Sequence, residues 1–266
     1  MDRILITGAA GEIGTTLRDG LRGTYALLRL TDRRPLGEAA PGEELVVADL
    51  ADASALAHAM EGIECVVHLG GTPREAAWEA IHADNIVGTY NIFEAARAAG
   101  VRRIIFASSN HVIGYYRAAR RVGIEEPPRP DSRYGVSKVF GEALGRMYAD
   151  KHGLSVACLR IGSFRTEPQD WRQLATWISP RDTVQLVRRC IDAPAFHFVV
   201  LYGVSANTRT RWLNPGAELV GYQPQDNAEV YADRFAASAK DRDPSVVCHG
   251  GSFCGLEFAG DLDRID

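Results

Sequence analysis

Residues 3–14 read Arg3-Ile4-Leu5-Ile6-Thr7-Gly8-Ala9-Ala10-Gly11-Glu12-Ile13-Gly14, a short β-branched run that stops at three glycines spaced three apart. A helical pattern follows through Leu21. Strand, glycine-rich turn and helix in this order form the opening of a dinucleotide-binding unit. The glycines let the backbone turn tightly and come close to a pyrophosphate, and the helix start offers free N–H groups and the positive end of its dipole. A second strand, over 25–31, ends at Asp32. That carboxylate lies about twenty residues beyond the glycines, where it accepts hydrogen bonds from an adenosine ribose. It also repels a 2′-phosphate, so the expected cofactor is NAD. Arg33 and Arg34 follow directly and are of the type that receives such a phosphate.

The alternation continues along the chain. Strands are expected over 44–48, 65–69, 103–107, 155–161 and 198–202. Helices are expected over 54–60, 76–99, 134–152, 183–193 and 227–239, with a loop-like glycine-rich tail from Gly250. Repeated strand-helix segments of this length imply a parallel sheet with helices on both faces. The expected fold class is therefore α/β, a Rossmann-type doubly wound parallel sheet. Residues 1–266 form a single NAD(P)-binding domain, with 163–266 contributing most of a small C-terminal substrate-binding cap. In such sheets ligands bind outside the carboxyl ends of the strands. Gly8, Asp32, Asp49, Gly70, Ser109 and Gly162 all follow expected strands, which puts them on one rim.

Further along, Tyr134-Gly135-Val136-Ser137-Lys138 places a phenol and an ammonium four residues apart, on one helix face. Only three of the thirty basic side chains are lysines, and of nine tyrosines only Tyr134 has a lysine four residues later. Arginine and lysine differ in shape and hydrogen bonding, so lysine here suggests a specific demand. The pair reads as a tyrosine tuned by a nearby cation to exchange protons near neutral pH. With Ser109 on the same rim and a nicotinamide from the Gly8 loop, it makes a proton-and-hydride transfer site.

Composition narrows the remaining classes. Hydrophobic residues at 46% and charged residues at 24% describe an ordinary globular protein. A net charge of −4 gives no reason to expect nucleic acid or an anionic membrane as partner. No apolar stretch approaches bilayer-spanning length, and Met1 leads straight into the first strand without a leader pattern. Five scattered cysteines without a C-x-x-C pair argue against a disulfide framework or zinc site and fit a reducing cytoplasm. No metal is expected, and the oligomeric state stays open, self-association included.

Taken together, the Gly8–Gly14 spacing with Ser109, Tyr134 and Lys138 resembles the extended branch of the short-chain dehydrogenase/reductase superfamily. Further stretches are similar to the NAD-dependent uronate dehydrogenases of that branch. They include His68-Leu69-Gly70-Gly71, Ala107-Ser108-Ser109-Asn110-His111, Ile113-Gly114-Tyr115-Tyr116, Arg160-Ile161-Gly162-Ser163, Trp171-Arg172, Thr176-Trp177 and Asp226-Asn227-Ala228-Glu229. The similarity spans nearly the whole chain.

The resemblance implies oxidation of the anomeric carbon of a hexuronic acid (D-galacturonate or D-glucuronate) to an aldarolactone. It implies catalysis by Tyr134, Lys138 and Ser109. The implied NAD bed is Gly8, Gly11, Glu12, Ile13, Gly14, Asp32, Asp49, Leu50, Leu69, Gly70, Asn85 and Lys138. Substrate contacts fall to Ser109, Asn110, His111, Tyr134 and Ser163, with Arg172 pairing with the sugar carboxylate. Two stretches depart from the pattern: Thr72-Pro73-Arg74, where a small polar residue is expected, and Arg211-Trp212, where two aromatics are expected. The competing readings are a sugar-nucleotide epimerase or dehydratase, whose NAD is recycled, and a non-catalytic NAD-binding regulator.

Overall fold

Alternate residues of the first strand point into two different cores: Ile4 and Ile6 into one, Leu5 into the other, all completely buried. A strand buried on both faces belongs to the middle of a layered α/β sheet. The computed structural model describes residues 1–236 and 242–265. Its main sheet holds β1 (Arg3–Thr7), β2 (Leu27–Asp32), β3 (Glu43–Val47), β4 (Cys65–His68), β5 (Arg103–Ser109) and β6 (Ser155–Ile161). After a small separate pair, β7 (Ser163–Phe164) and β8 (Trp177–Ile178), the chain returns as β9 (Phe198–Gly203). The order across the sheet is β3-β2-β1-β4-β5-β6-β9, and every pairing is parallel. The winding reverses between β1 and β4, where Thr7 lies opposite His68. Such a switch point opens a crevice at the carboxyl ends of the strands.

The layers follow from helix faces. In α1 (Glu12–Leu21) the residues Gly14, Leu17 and Leu21 recur at helical spacing and are buried. With α7 (below) this helix covers one face. The other face is covered by α2 (Ala53–Met60), by a composite helix of α3 (Trp78–Ala80), a π-helical stretch (Ile81–Val87) and α4 (Gly88–Ala98), and by α5 (Arg133–His152). Helix α5 begins at Ser132, whose Oγ accepts from Gly135 N at 3.0 Å, and ends at Gly153 with φ +73°. A Cβ on Gly141 would lie 2.2 Å from the Phe106 ring, so α5 rests directly on β5. That close approach sets Tyr134 against the end of β5.

Several expected elements shift. The helix expected over 76–99 is interrupted by the π stretch, a wider coil that turns Asn85 inward. The helix expected from residue 183 starts earlier, as α7 (Pro180–Asp192), because Ser179 caps it by accepting from Asp182 N at 3.0 Å and Pro180 fits its first turn. Between β7 and β8 lies α6 (Gln173–Thr176), and after β9 come α8 (Gly216–Val220), α9 (Pro244–Val247) and α10 (Ser252–Gly255). Within the expected helix 227–239 the chain forms a 3-10 helix over Ala228–Arg234, and 237–239 lie outside the described residues. The tail from Gly250 is not all loop; it carries α10 and a further 3-10 turn at Leu262–Arg264. Among the described residues no helix is long and apolar enough to cross a membrane.

Candidate active site

A cleft of about 910 Å³ runs along the carboxyl ends of the strands. The floor of its nucleotide half is glycine backbone. Gly8 has φ +68°, and a Cβ there would lie 2.8 Å from Gly70 N. A Cβ on Gly14 would sit 2.4 Å from the Gly8 carbonyl oxygen. The first loop and the loop after β4 can approach each other, and a ligand, only as glycines. Asp32 ends β2 with Oδ2 accepting from Ala10 N at 3.0 Å and Oδ1 from Arg34 N at 2.9 Å. The two arginines beyond it are each held by a carboxylate, Arg33 by Asp84 at 3.6 Å and Arg34 by Asp32 at 3.3 Å.

Gly8, Gly11, Glu12, Ile13, Gly14, Asp32, Asp49, Leu50, Leu69, Gly70 and Lys138 all line this cleft. Asn85, expected among the cofactor contacts, does not. Its Oδ1 accepts from Thr72 N at 2.7 Å, and its Nδ2 donates to the Thr72 carbonyl at 3.0 Å and to Ser137 Oγ at 3.1 Å. The amide is spent on holding the cleft wall to α5.

At the centre, Ser109 is the last residue of β5, and its hydroxyl lowers the Tyr134 phenol. Ser109 Oγ also accepts from His111 N at 3.2 Å. Lys138 Nζ donates to the Ala107 carbonyl at 2.8 Å and stands 5.4 Å over the Tyr134 ring. Burial pushes the Tyr134 phenol up to about 12, against a lowering by Ser109. It pushes the Lys138 ammonium down to about 8. The lowering of the phenol expected from a nearby cation is opposed here by burial. Taking the phenol out of water disfavours its anion, and the lysine head is anchored on a carbonyl instead of on the phenol oxygen.

The substrate half has two layers. Asn110 and His111 line the cleft, and Ser163 and Arg172 stand behind Asn110, off the cleft wall. In the orientation that satisfies both neighbours, the Asn110 amide donates to the Ile161 carbonyl at 3.1 Å and accepts from Arg172 Nη2 at 3.0 Å. Arg172 Nε donates to the His249 carbonyl at 2.8 Å, and Nη1 reaches Ser163 Oγ at 3.4 Å. Among the described residues Arg172 makes no ion pair, and burial lowers its affinity for a proton. Three of its five N–H donors are used, which leaves one on each terminal nitrogen.

The chain matches the NAD dependent epimerase/dehydratase family over residues 4–180. It is 44% identical to the uronate dehydrogenase of Pseudomonas putida over 95% of either chain. Its fold superposes on that of a mutant uronate dehydrogenase from Agrobacterium tumefaciens complexed with NAD. That pair has a TM-score of 0.91 and 45% identity, covering 96% of this chain and 97% of that one. A glucuronic acid dehydrogenase from Chromohalobacter salexigens matches at a TM-score of 0.92 and 42% identity over 99% of both. The chain belongs to the NAD-dependent epimerase/dehydratase family, on its uronate dehydrogenase branch.

In this uronate dehydrogenase relative three parts of the site escaped the sequence. Phe253 lines the cleft from α10, inside the stretch read as a loop. Asp131, in the Pro-rich loop before α5, pairs with His111 at 2.7 Å. Glu75 accepts from Tyr134 N at 2.8 Å and pairs with Arg133 at 2.7 Å, holding the first turn of α5. Only Asp131-Ser132 carried a readable signal, an acidic residue beside a helix-capping serine. Thr72, Pro73 and Arg74 line the cleft. Trp212 stacks on Tyr202 at 4.9 Å, which meets the packing need at Arg211-Trp212 with a single indole.

Proposed function

We propose that this member of the uronate dehydrogenases oxidises C1 of a hexuronic acid, D-galacturonate or D-glucuronate, to an aldarolactone. The residues at the switch point fit NAD: a glycine floor that a Cβ would fill, followed by a ribose-facing carboxylate at Asp32. When bound, NAD would supply the hydride acceptor. Asp32 holds the adenosine ribose, and Asp49, Leu50, Leu69 and Gly70 form the bed on either side. Lys138, fixed on the Ala107 carbonyl, holds the nicotinamide ribose and adds positive charge near the phenol.

Tyr134 takes the proton of the C1 hydroxyl, and Ser109 orients that hydroxyl and the phenol together. Asn110 and His111 on the cleft wall hold the remaining sugar oxygens, with Ser163 and Arg172 behind Asn110 at the deep end of the site. The observation that carries the substrate assignment is Arg172, a guanidinium without a carboxylate partner among the described residues, hydrogen-bonded to both Asn110 and Ser163. A planar guanidinium with a free N–H on each terminal nitrogen suits a carboxylate. A hydrogen bond to a charged group contributes about 1.5–3 kcal/mol, so the acid is favoured over the neutral sugar by roughly ten- to a hundredfold.

In this reading residues 163–266 contribute most of the substrate cap over a single Rossmann domain. Five free, buried cysteines suit a reducing cytoplasm. The test is NADH formation by the purified protein with galacturonate, glucuronate, their neutral parent sugars and a nucleoside-diphosphate sugar. Net NADH with the two acids supports the reading. Isomerisation of the nucleotide sugar without net NADH replaces it with an epimerase.

A further inference from the structure

Among the described residues His111 is the one histidine on the cleft wall, and its ring is held on three sides. Phe253 stacks on it at 4.0 Å and 17°, Tyr134 meets it edge-on at 5.7 Å, and Nδ1 lies 2.7 Å from Asp131 Oδ2. Among the described residues Nε2 has no hydrogen-bond partner. The side chain is 14% exposed, against 0% for Asp131.

The Asp131 carboxylate sits in a cavity made for it. A Cβ on Gly114 would lie 1.8 Å from Oδ2, and one on Gly250 would lie 1.7 Å from it. Its other oxygen accepts from Ser132 Oγ at 2.7 Å, the same hydroxyl that caps the Tyr134 helix. A carboxylate anion only accepts hydrogen bonds, and Ser132 Oγ and the His111 ring are the groups set against its two oxygens. Facing that acceptor, Nδ1 carries the proton, and the neutral imidazole then has a bare lone pair on Nε2.

We propose that Asp131 is a positioning residue that fixes the His111 tautomer, so that Nε2 stands as a hydrogen-bond acceptor in the sugar pocket and reads a substrate hydroxyl as donor. This rests on the uronic acid reading above and deepens it. The pocket becomes polar in one sense: donors at Arg172 and an acceptor at His111. A carboxylate has no proton to give Nε2, so the acid end of the sugar is turned away from His111 and toward Arg172. A hydroxyl satisfies Nε2, and an analogue lacking that hydroxyl leaves it unpaired.

The test is nitrogen NMR of histidine-labelled, NADH-bound protein at mildly alkaline pH, with His111 identified by the signal lost in His111→Gln. The expected spectrum has the proton on Nδ1 and a bare Nε2 whose resonance moves when galacturonate is added. In Asp131→Asn the proton shifts toward Nε2. The KM for the uronic acid then rises about tenfold or more, with a smaller change in kcat and unchanged NAD affinity. A proton on Nε2 in the wild-type protein overturns the proposal, as does an unchanged KM in a folded Asp131→Asn protein. The wild-type spectrum decides the tautomer even if that variant fails to fold. Wild-type turnover, measured alongside, separates the two readings: a bare Nε2 with no uronic acid oxidised removes the substrate assignment and leaves the tautomer standing.

Discussion

Lys138 Nζ donates to the carbonyl of Ala107 at 2.8 Å, two residues before Ser109, the group that lowers the Tyr134 phenol. The lysine of the Tyr-x-x-x-Lys pair is thus anchored on the end of β5 and not on the phenol oxygen. Lys138 Nζ stands 5.4 Å over the Tyr134 ring.

A base that is protonated at neutral pH makes oxidation faster in alkali. With burial holding the Tyr134 phenol at about 12, the fraction of phenolate grows as pH rises toward that value. The logarithm of kcat/KM for uronic acid oxidation should climb through the alkaline range. Ser109→Ala removes the group that lowers the phenol, so the rise should move to higher pH. Tyr134→Phe should lose roughly 10²- to 10⁴-fold in kcat while still binding NAD. A pH-rate profile for the three proteins checks all of this.

Asn85 ties the cleft wall at Thr72 to Ser137 on α5. Asn85→Ala strands the Thr72 N–H and carbonyl, and each buried polar group left unsatisfied costs about 1–3 kcal/mol. Urea unfolding should show that loss, and the KM for NAD should rise only modestly. A large rise in that KM with unchanged stability would make Asn85 a direct cofactor contact.

Asp32 should govern the choice of nucleotide. Asp32→Ala removes the ribose acceptor and frees Arg34 from its carboxylate. The KM for NAD should increase about tenfold or more, and that for NADP should fall. Initial rates with both cofactors test this.

Two buried histidines predispose the fold to acid. Burial holds His68 at about 3 and His249 at about 4, so the folded protein keeps both neutral. The unfolded chain binds their protons near the ordinary value of ~6.5. Their contribution is fully present above ~6.5 and is lost as pH falls toward their folded values, by up to ~1.4 kcal/mol per pH unit for each histidine. Stability measured from pH 7 to 4 should fall with that slope, and less steeply in His68→Gln.

Most of the sheet and its rim could be read from the sequence because their signals are local. Glycine spacing, alternating β-branched runs and the Tyr134–Lys138 interval each act within one element. The substrate half is less legible. Arg172 owes its place to a carbonyl at His249 and an amide at Asn110, contacts that join segments far apart in the chain. Phe253 lies in a Gly-Gly-Ser-Phe stretch whose helical turn exists only because tertiary packing supports it. The Tyr134 phenol illustrates a different gap. Spacing shows that a cation lies near, but the depth of burial, which decides the direction of the shift, appears only in three dimensions.

The most direct test of the uronic acid assignment is the ratio of kcat/KM for galacturonate to that for galactose, in wild type and in Arg172→Ala. If Arg172 binds the carboxylate, the ratio should fall by roughly tenfold or more, almost entirely through the acid. An unchanged ratio in a folded, NAD-binding variant would contradict the account and take Arg172 out of the substrate site.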